Sequence, residues 1–172
     1  MDINPSPFVD LGAAGLGSFF CPKDLESHGV PLAQLKRQLR EGRVQRIGRG
    51  LYRRADADVT ENYTVAAVAA RVPHAIVCLL SALQIHEIGT QLPHQVWIAI
   101  DHKARPPRLP DLPVRLVRFS GVFLNYGVVT VHFEGVPVRI TSTARTVVDC
   151  FRLERLVGRE VALEALRDAL RE

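Results

Sequence analysis

Asp101 and Lys103 stand two residues apart at the end of the apolar run Gln95-Val96-Trp97-Ile98-Ala99-Ile100. An acid and a lysine at that spacing form half of a metal-dependent nuclease site, in which carboxylates hold Mg²⁺ and the lysine orients a water or stabilises charge. The chemistry needs a further carboxylate on an adjoining element. Glu87, the only acid between Glu61 and Asp101, lies on a helix-like stretch. A solvated charge pair at a strand end fits the same residues, so the nuclease stands as the alternative reading. His86 has no second histidine at helical spacing, since His94 lies beyond Gly89 and Pro93. Three or four converging zinc ligands are therefore not expected, and His86 reads as a histidine with a satisfied hydrogen bond. Cys21, Cys78 and Cys150 are odd in number and far apart. They offer neither a disulfide framework nor a Cys-x-x-Cys pair and read as buried reduced thiols. No serine sits in a nucleophile elbow, and Gly12 to Gly17 lacks the preceding strand of a phosphate-cradling loop. No cofactor, no metal and no enzymatic activity are expected.

Charge gives the stronger signal. Between Lys36 and Arg54 there are eight basic residues and one acid, a local net charge of +7, whereas all 172 residues together carry only +4. A concentrated positive field on a near-neutral body is the footprint of a polyanion binder. The hydrophobic fraction of 47% and charged fraction of 23% argue for a folded globular chain. No apolar run approaches the length needed to cross a bilayer, so no membrane partner is expected. The start Met1-Asp2-Ile3-Asn4-Pro5 lacks the basic and apolar regions of a signal peptide, which points to the cytoplasm.

The elements that must carry these charges can be read locally. Pro7 to Ala14 reads as a short helix and Ser18 to Phe20 as a small extended piece. Pro22 opens a helix that Gly29 closes. Pro31 starts the next, Leu32 to Arg40, in which Leu32, Leu35 and Leu39 predict the buried stripe and Ala33, Gln34, Arg37 and Arg40 the opposite face. Val44–Ile47 and Leu51–Arg53 flank Gly48-Arg49-Gly50, a hairpin with an arginine at its tip. In that order the parts make a winged helix-turn-helix. Arg37 fits a guanine and Gln34 an adenine in the major groove. Ala33 shares their face. Lys36, Arg40, Arg43 and Arg46 fit phosphates, and Arg49 fits minor-groove insertion by the wing. The expected partner is double-stranded DNA. A protein-interaction module whose basic hairpin meets an acidic partner is a further possibility.

Asp56 to Asn62 is a polar connector, placing a DNA-binding domain at residues 1–56 and a second domain at 57–172. The second reads as mixed α+β with about four strands. Its expected elements are an Ala-rich helix from Tyr63 to Arg71, a strand or helix lead-in at Ile76–Leu79, and a helix capped by Ser81 and running to Ile88. Strands follow at 95–100, 114–119, 128–133 and 136–140, then a helix from Ala144 to Leu153 capped by Thr143 or Ser142, and a last helix from Arg159 to Leu170. Arg115 and Arg118 are expected on one face of their strand. With Lys103, Arg105 and Arg108 they offer either a second basic surface or solubilising charges. Arg145 and Asp149 are four apart on one helix and read as an intrahelical ion pair. The fold class is thus α+β, a winged helix-turn-helix followed by a small mixed domain.

Several of these stretches resemble one family. Gly17-Ser18-Phe19-Phe20-Cys21-Pro22-Lys23-Asp24-Leu25, then Gly29-Val30-Pro31 and Leu35, then Gly42-Arg43-Val44, Arg46 and Gly50-Leu51-Tyr52 are similar to the winged helix of AbiEi-type antitoxins. Leu80-Ser81-Ala82-Leu83 with His86 and Gly89, and Gly135-Val136-Pro137-Val138 with Thr143-Ala144-Arg145-Thr146-Val147-Val148-Asp149, resemble stretches of their partner domain, although Glu87 and Ile88 depart from it before the glycine. The resemblance implies a bacterial promoter-binding repressor of its own operon, associated with phage defence. It also implies functional pairing with a nucleotidyltransferase toxin that is opposed without a stable complex.

Overall fold

The computed structural model describes residues 9–171. They divide into two units, one reaching Tyr63 and including Glu134–Val136, the other formed by Thr64–Phe133 and Pro137 onward.

In the first unit, residues 11–15 form a turn rather than the end of a helix. Asp10 explains it: its carboxylate accepts from the backbone N–H groups of Gly12 and Ala13 at 2.8 and 3.0 Å, the local bond by which aspartate competes with helix formation. Pro7 and Phe8, the start of the expected helix, lie outside the described residues. The elements that follow are β1 (Phe19–Phe20), α1 (Pro22–Ser27), α2 (Leu32–Arg40), β2 (Val44–Gly48) and β3 (Leu51–Arg54). Asp24 accepts from the Cys21 N–H at 2.6 Å and so fixes the start of α1. Gly29 and Val30 close that helix by donating to Glu26 and Leu25, which makes the tight turn into α2. The strands form an antiparallel sheet ordered β1-β3-β2. Leu11, Leu16, Phe20, Leu25, Val30, Leu35 and Val44 fill the core between sheet and helices.

The second unit contains α3 (Tyr63–Arg71, entered from the last residue of the first unit), β4 (Ile76–Val77), α4 (Leu79–Ile85), β5 (Val96–Asp101), β6 (Val114–Phe119), β7 (Val128–Phe133), β8 (Val136–Thr141), α5 (Thr143–Arg152), α6 (Glu154–Val157) and α7 (Arg159–Ala169). Five strands, one more than expected, are ordered β6-β5-β4-β8-β7. The added one is β4, two residues that pair antiparallel with β5 and parallel with β8. Trp97, Ala99, Val117 and Phe119 face a core shared with α4, α5 and α7. Ile98 and Ile100, on the opposite face by strand alternation, are equally buried.

Two local expectations need correction, and the choice of cap for α5 is resolved. Cys78, not Ser81, is the N-cap of α4, and the helix ends at Ile85. Ser81 lies inside it, where its hydroxyl accepts from the Trp97 N–H at 2.9 Å and joins helix to sheet. For α5, Ser142 is the cap, accepting from the Arg145 N–H. Arg115 and Arg118 are three apart, an odd spacing, so they lie on opposite faces of β6. Arg115 stacks 4.5 Å over the Trp97 ring, while Arg118 donates to the carbonyls of Asp101 and Ala104 at 2.9 and 2.6 Å.

The Arg145–Asp149 pair is an anchor of unusual depth. Arg145 Nε is 2.7 Å from Asp149 Oδ2, and the two side chains are 4% and 0% exposed. The guanidinium also donates to the carbonyls of Phe123, at 2.7 Å, and Tyr126, so α5 holds the 121–126 segment. Arg152 binds the other Asp149 oxygen and lies 3.8 Å over the Phe123 ring. Gly127 is required beside it: its φ is +63°, and a Cβ there would come within 2.9 Å of the Arg145 Cβ.

Burial pushes the Cys150 thiol up to about 12, with the Asp149 charge adding to the shift, and raises Cys78 well above the ordinary range. Cys21 is half-buried, which corrects the expectation that all three thiols are enclosed. A water-soluble maleimide should therefore label one thiol per native chain, Cys21, and three after denaturation. Mass spectrometry after a timed reaction reads the count; rapid native labelling at Cys78 or Cys150 would contradict the packing.

Candidate nucleic-acid interface

The rotation of α2 about its axis decides what the protein presents. At about 100° per residue, Leu32, Lys36, Arg40, Ala33 and Arg37 fall within an arc of about 140°, and Gln34, Gln38, Leu35 and Leu39 within another of similar width. The second arc faces the core: Gln34 is 3%, Gln38 2% and Leu35 7% exposed, whereas Leu32 is 46% exposed. Gln38 fixes this setting by donating to the Val9 carbonyl at 2.8 Å. The leucine stripe expected from sequence is thus turned by part of a helical step. Gln34 is buried and is not available as a reader of adenine, and Leu32 takes its place in solvent.

Ala33, Lys36 and Arg40 are exposed, as expected of them. Lys36 lies between Leu32 and Arg40 on the outer arc and is more central there than the flanking role given to it. Arg37 sits at the edge of the arc and is held by Glu41, with Nε 2.9 Å from the carboxylate. Arg43 approaches the other oxygen of Glu41 at 3.5 Å. Glu41 was assigned no role from sequence; its position four residues after Arg37 was the available signal.

Arg46 and Arg49 are exposed on the β2–β3 hairpin. Gly50, with φ +70°, permits the turn that leaves Arg49 at its tip, and the register slips between Arg46 and Gly48. Two arginines of the basic run serve structure instead. Arg53 is 8% exposed, donates to the Ala57 carbonyl at 2.7 Å and lies 5.1 Å from the Tyr63 ring centre. Arg54 donates to the Leu16 carbonyl at 2.8 Å and hydrogen-bonds Asp56, holding that carboxyl below the usual carboxylate range. The exposed cations of this segment are therefore Lys36, Arg40, Arg43, Arg46 and Arg49, with Arg37 half-buried beside them.

Asp101 Oδ1 accepts from the Lys103 N–H at 2.7 Å in a local turn and lies 3.4 Å from His102 Nδ1. Among the described residues, no three metal-ligating side chains converge. His86 bonds the Thr141 carbonyl at 2.7 Å, the satisfied histidine expected. No helix of the described residues is long and apolar enough to cross a membrane.

A short strand, a helix, a tight turn, a second helix with a cationic outer face and a hairpin with a basic tip define a winged helix-turn-helix. Residues 13–55 match the family model described as a transcriptional regulator, AbiEi antitoxin. Over these residues the first unit is similar to the winged helix of AbiEi-type antitoxins, a family of transcriptional regulators. No curated protein gives a significant match to the chain.

Proposed function

We propose that the protein is a sequence-specific, double-stranded-DNA-binding repressor acting on its own promoter. What supports this reading is the outer arc of α2, where Lys36 and Arg40 are exposed, Arg37 lies half-buried at the edge and no core residue interrupts the face. The N-terminal half of α2 enters the major groove, where base edges are distinguishable. Lys36, central on the arc, meets a base. Arg37, Arg40, Arg43 and Arg46 neutralise phosphates, and Arg49 enters the neighbouring minor groove. Residues 1–56 are the DNA-binding domain and 57–172 the antitoxin-type domain. The protein works in the cytoplasm by occupying DNA and excluding polymerase, not by catalysis. In a toxin–antitoxin operon of phage-defence type it opposes a nucleotidyltransferase toxin without a stable complex.

The test is a titration against the DNA upstream of its own gene, beside a scrambled duplex, at two salt concentrations. Native DNA should bind more tightly, and both affinities should fall with salt as counterions are released. Lys36→Ala should reduce the preference for native over scrambled DNA by roughly 1–3 kcal/mol. Arg37→Ala should weaken both duplexes alike and lower the salt slope by about 0.9. Equal, salt-insensitive binding to both duplexes would leave the repressor reading without support.

A further inference from the structure

Among the described residues of the first unit, Leu32 and Val59 are the large apolar side chains left exposed, and Leu32 stands on the cationic arc of α2. It opens α2 with 46% of its surface exposed, while Gln34 and Gln38, both polar, occupy the interior at 3% and 2%. Helical turning alone would let a leucine at this position join Leu35 and Leu39 in the core. The Gln38 bond to the Val9 carbonyl at 2.8 Å instead holds the helix in the rotation that turns Leu32 outward. Burying two amides on a helix that leaves a leucine outside is the informative feature, since polar side chains are mostly exposed. The residue stands on the same arc as Ala33, whose methyl is also exposed, and one turn from Lys36.

We infer that Leu32, supported by Ala33, reads the C5-methyl group of a thymine in the major groove, and that the favoured site therefore carries thymine beside the base met by Lys36. This deepens the DNA-binding reading and rests on it. The major groove presents one apolar feature, the thymine methyl, and alanine-sized or larger apolar side chains are its natural complement. Lys36, Arg37 and Arg40 on the same arc supply the positive charge that draws this face onto a polyanion. A purely apolar protein partner would have to desolvate those three cations to reach Leu32, which disfavours it. The contact also explains why an apolar residue stands at the N-terminal end of α2, where a recognition helix meets bases, whereas the arginines continue toward its C-terminal end and the hairpin.

The decisive experiment uses the full chain and the upstream DNA of its own gene. The segment protected from cleavage is first mapped. It is then remade with deoxyuridine replacing each thymine, which deletes the methyl groups and keeps base pairing. Wild type should bind the deoxyuridine duplex about three- to tenfold more weakly than the thymine duplex, the effect of losing one or two buried methyl contacts. Leu32→Ala should bind the thymine duplex more weakly than wild type and should discriminate between the two duplexes by less than twofold. Circular dichroism and thermal unfolding confirm that this exposed substitution leaves the fold intact. Equal binding of wild type to both duplexes, or undiminished methyl discrimination by Leu32→Ala, would overturn the inference while leaving DNA binding standing. Absence of any preference for the native duplex would instead overturn the reading beneath it. Unchanged DNA binding by Leu32→Ala on every duplex would likewise overturn the inference.

Discussion

Replacing Arg40, Arg43 and Arg46 together by alanine is expected to weaken binding to any duplex about a hundredfold near physiological salt. It should also lower the slope of log affinity against log salt by about 2.7, because each phosphate neutralised contributes about 0.9. All three side chains are exposed: Arg40 ends α2, Arg43 lies in the turn that follows and Arg46 is on β2. Their removal should cost the folded state little, since exposed substitutions away from caps and cores change stability by only a few tenths of a kcal/mol. The same three substitutions should leave the ratio of native to scrambled affinity nearly unchanged. A salt slope identical to wild type would mean that the proposed backbone contacts do not exist. Arg53 and Arg54 are poor choices for the same experiment. Removing them strips hydrogen bonds from the Ala57 and Leu16 carbonyls, so lost binding would report lost structure.

The second large effect concerns stability. Asp149→Ala should destabilise the second unit by about 3–5 kcal/mol, the usual result of leaving a buried charge without its partner. Arg145 is 4% exposed on its side chain and cannot recover solvation by a rotamer change. Its remaining acceptors, the carbonyls of Phe123 and Tyr126, are neutral. Replacing both members, Arg145→Met with Asp149→Leu, should restore part of the loss, because apolar pairs of similar volume often equal a buried ion pair. Urea unfolding followed by tryptophan fluorescence suits the measurement, since Trp97 lies in the core that α5 covers. A loss below about 1 kcal/mol for Asp149→Ala would show that the pair is dispensable.

What the sequence made legible was local. Pro22, Gly29 and Pro31 bracket α1 and α2; Gly48 and Gly50 mark the hairpin; Arg145 and Asp149 sit at helical spacing. Each signal spans only a few residues, and the structure has the corresponding elements. The rotation of α2 was not legible, because it depends on Gln38 meeting Val9, a contact 29 residues apart in sequence. Periodicity alone placed Leu32 inside and Gln34 outside, and a tertiary hydrogen bond reversed both. Ser81 failed similarly: a serine early in a helix suggests a cap, yet its partner is the Trp97 backbone on another element. The fifth strand, β4, is two residues long and acquires strand character only from neighbours on both sides. Arg53 and Arg54 could be counted as charge but not recognised as scaffold, since the carbonyls that hold them belong to other elements.

The Glu41 carboxylate, placed between Arg37 and Arg43, is an internal rival for the cations that a phosphate would claim. A phosphate that claims either of these two arginines competes with it. A single surface carboxylate on a passing protein gains nothing by exchanging with one already in place, whereas a doubly stranded array of phosphates engages several cations at once and outcompetes it. On the DNA-binding reading proposed above, these exposed pairs cost a polyanion little to exchange, at most about 1 kcal/mol each, while Glu41 holds the two arginines near each other until it arrives.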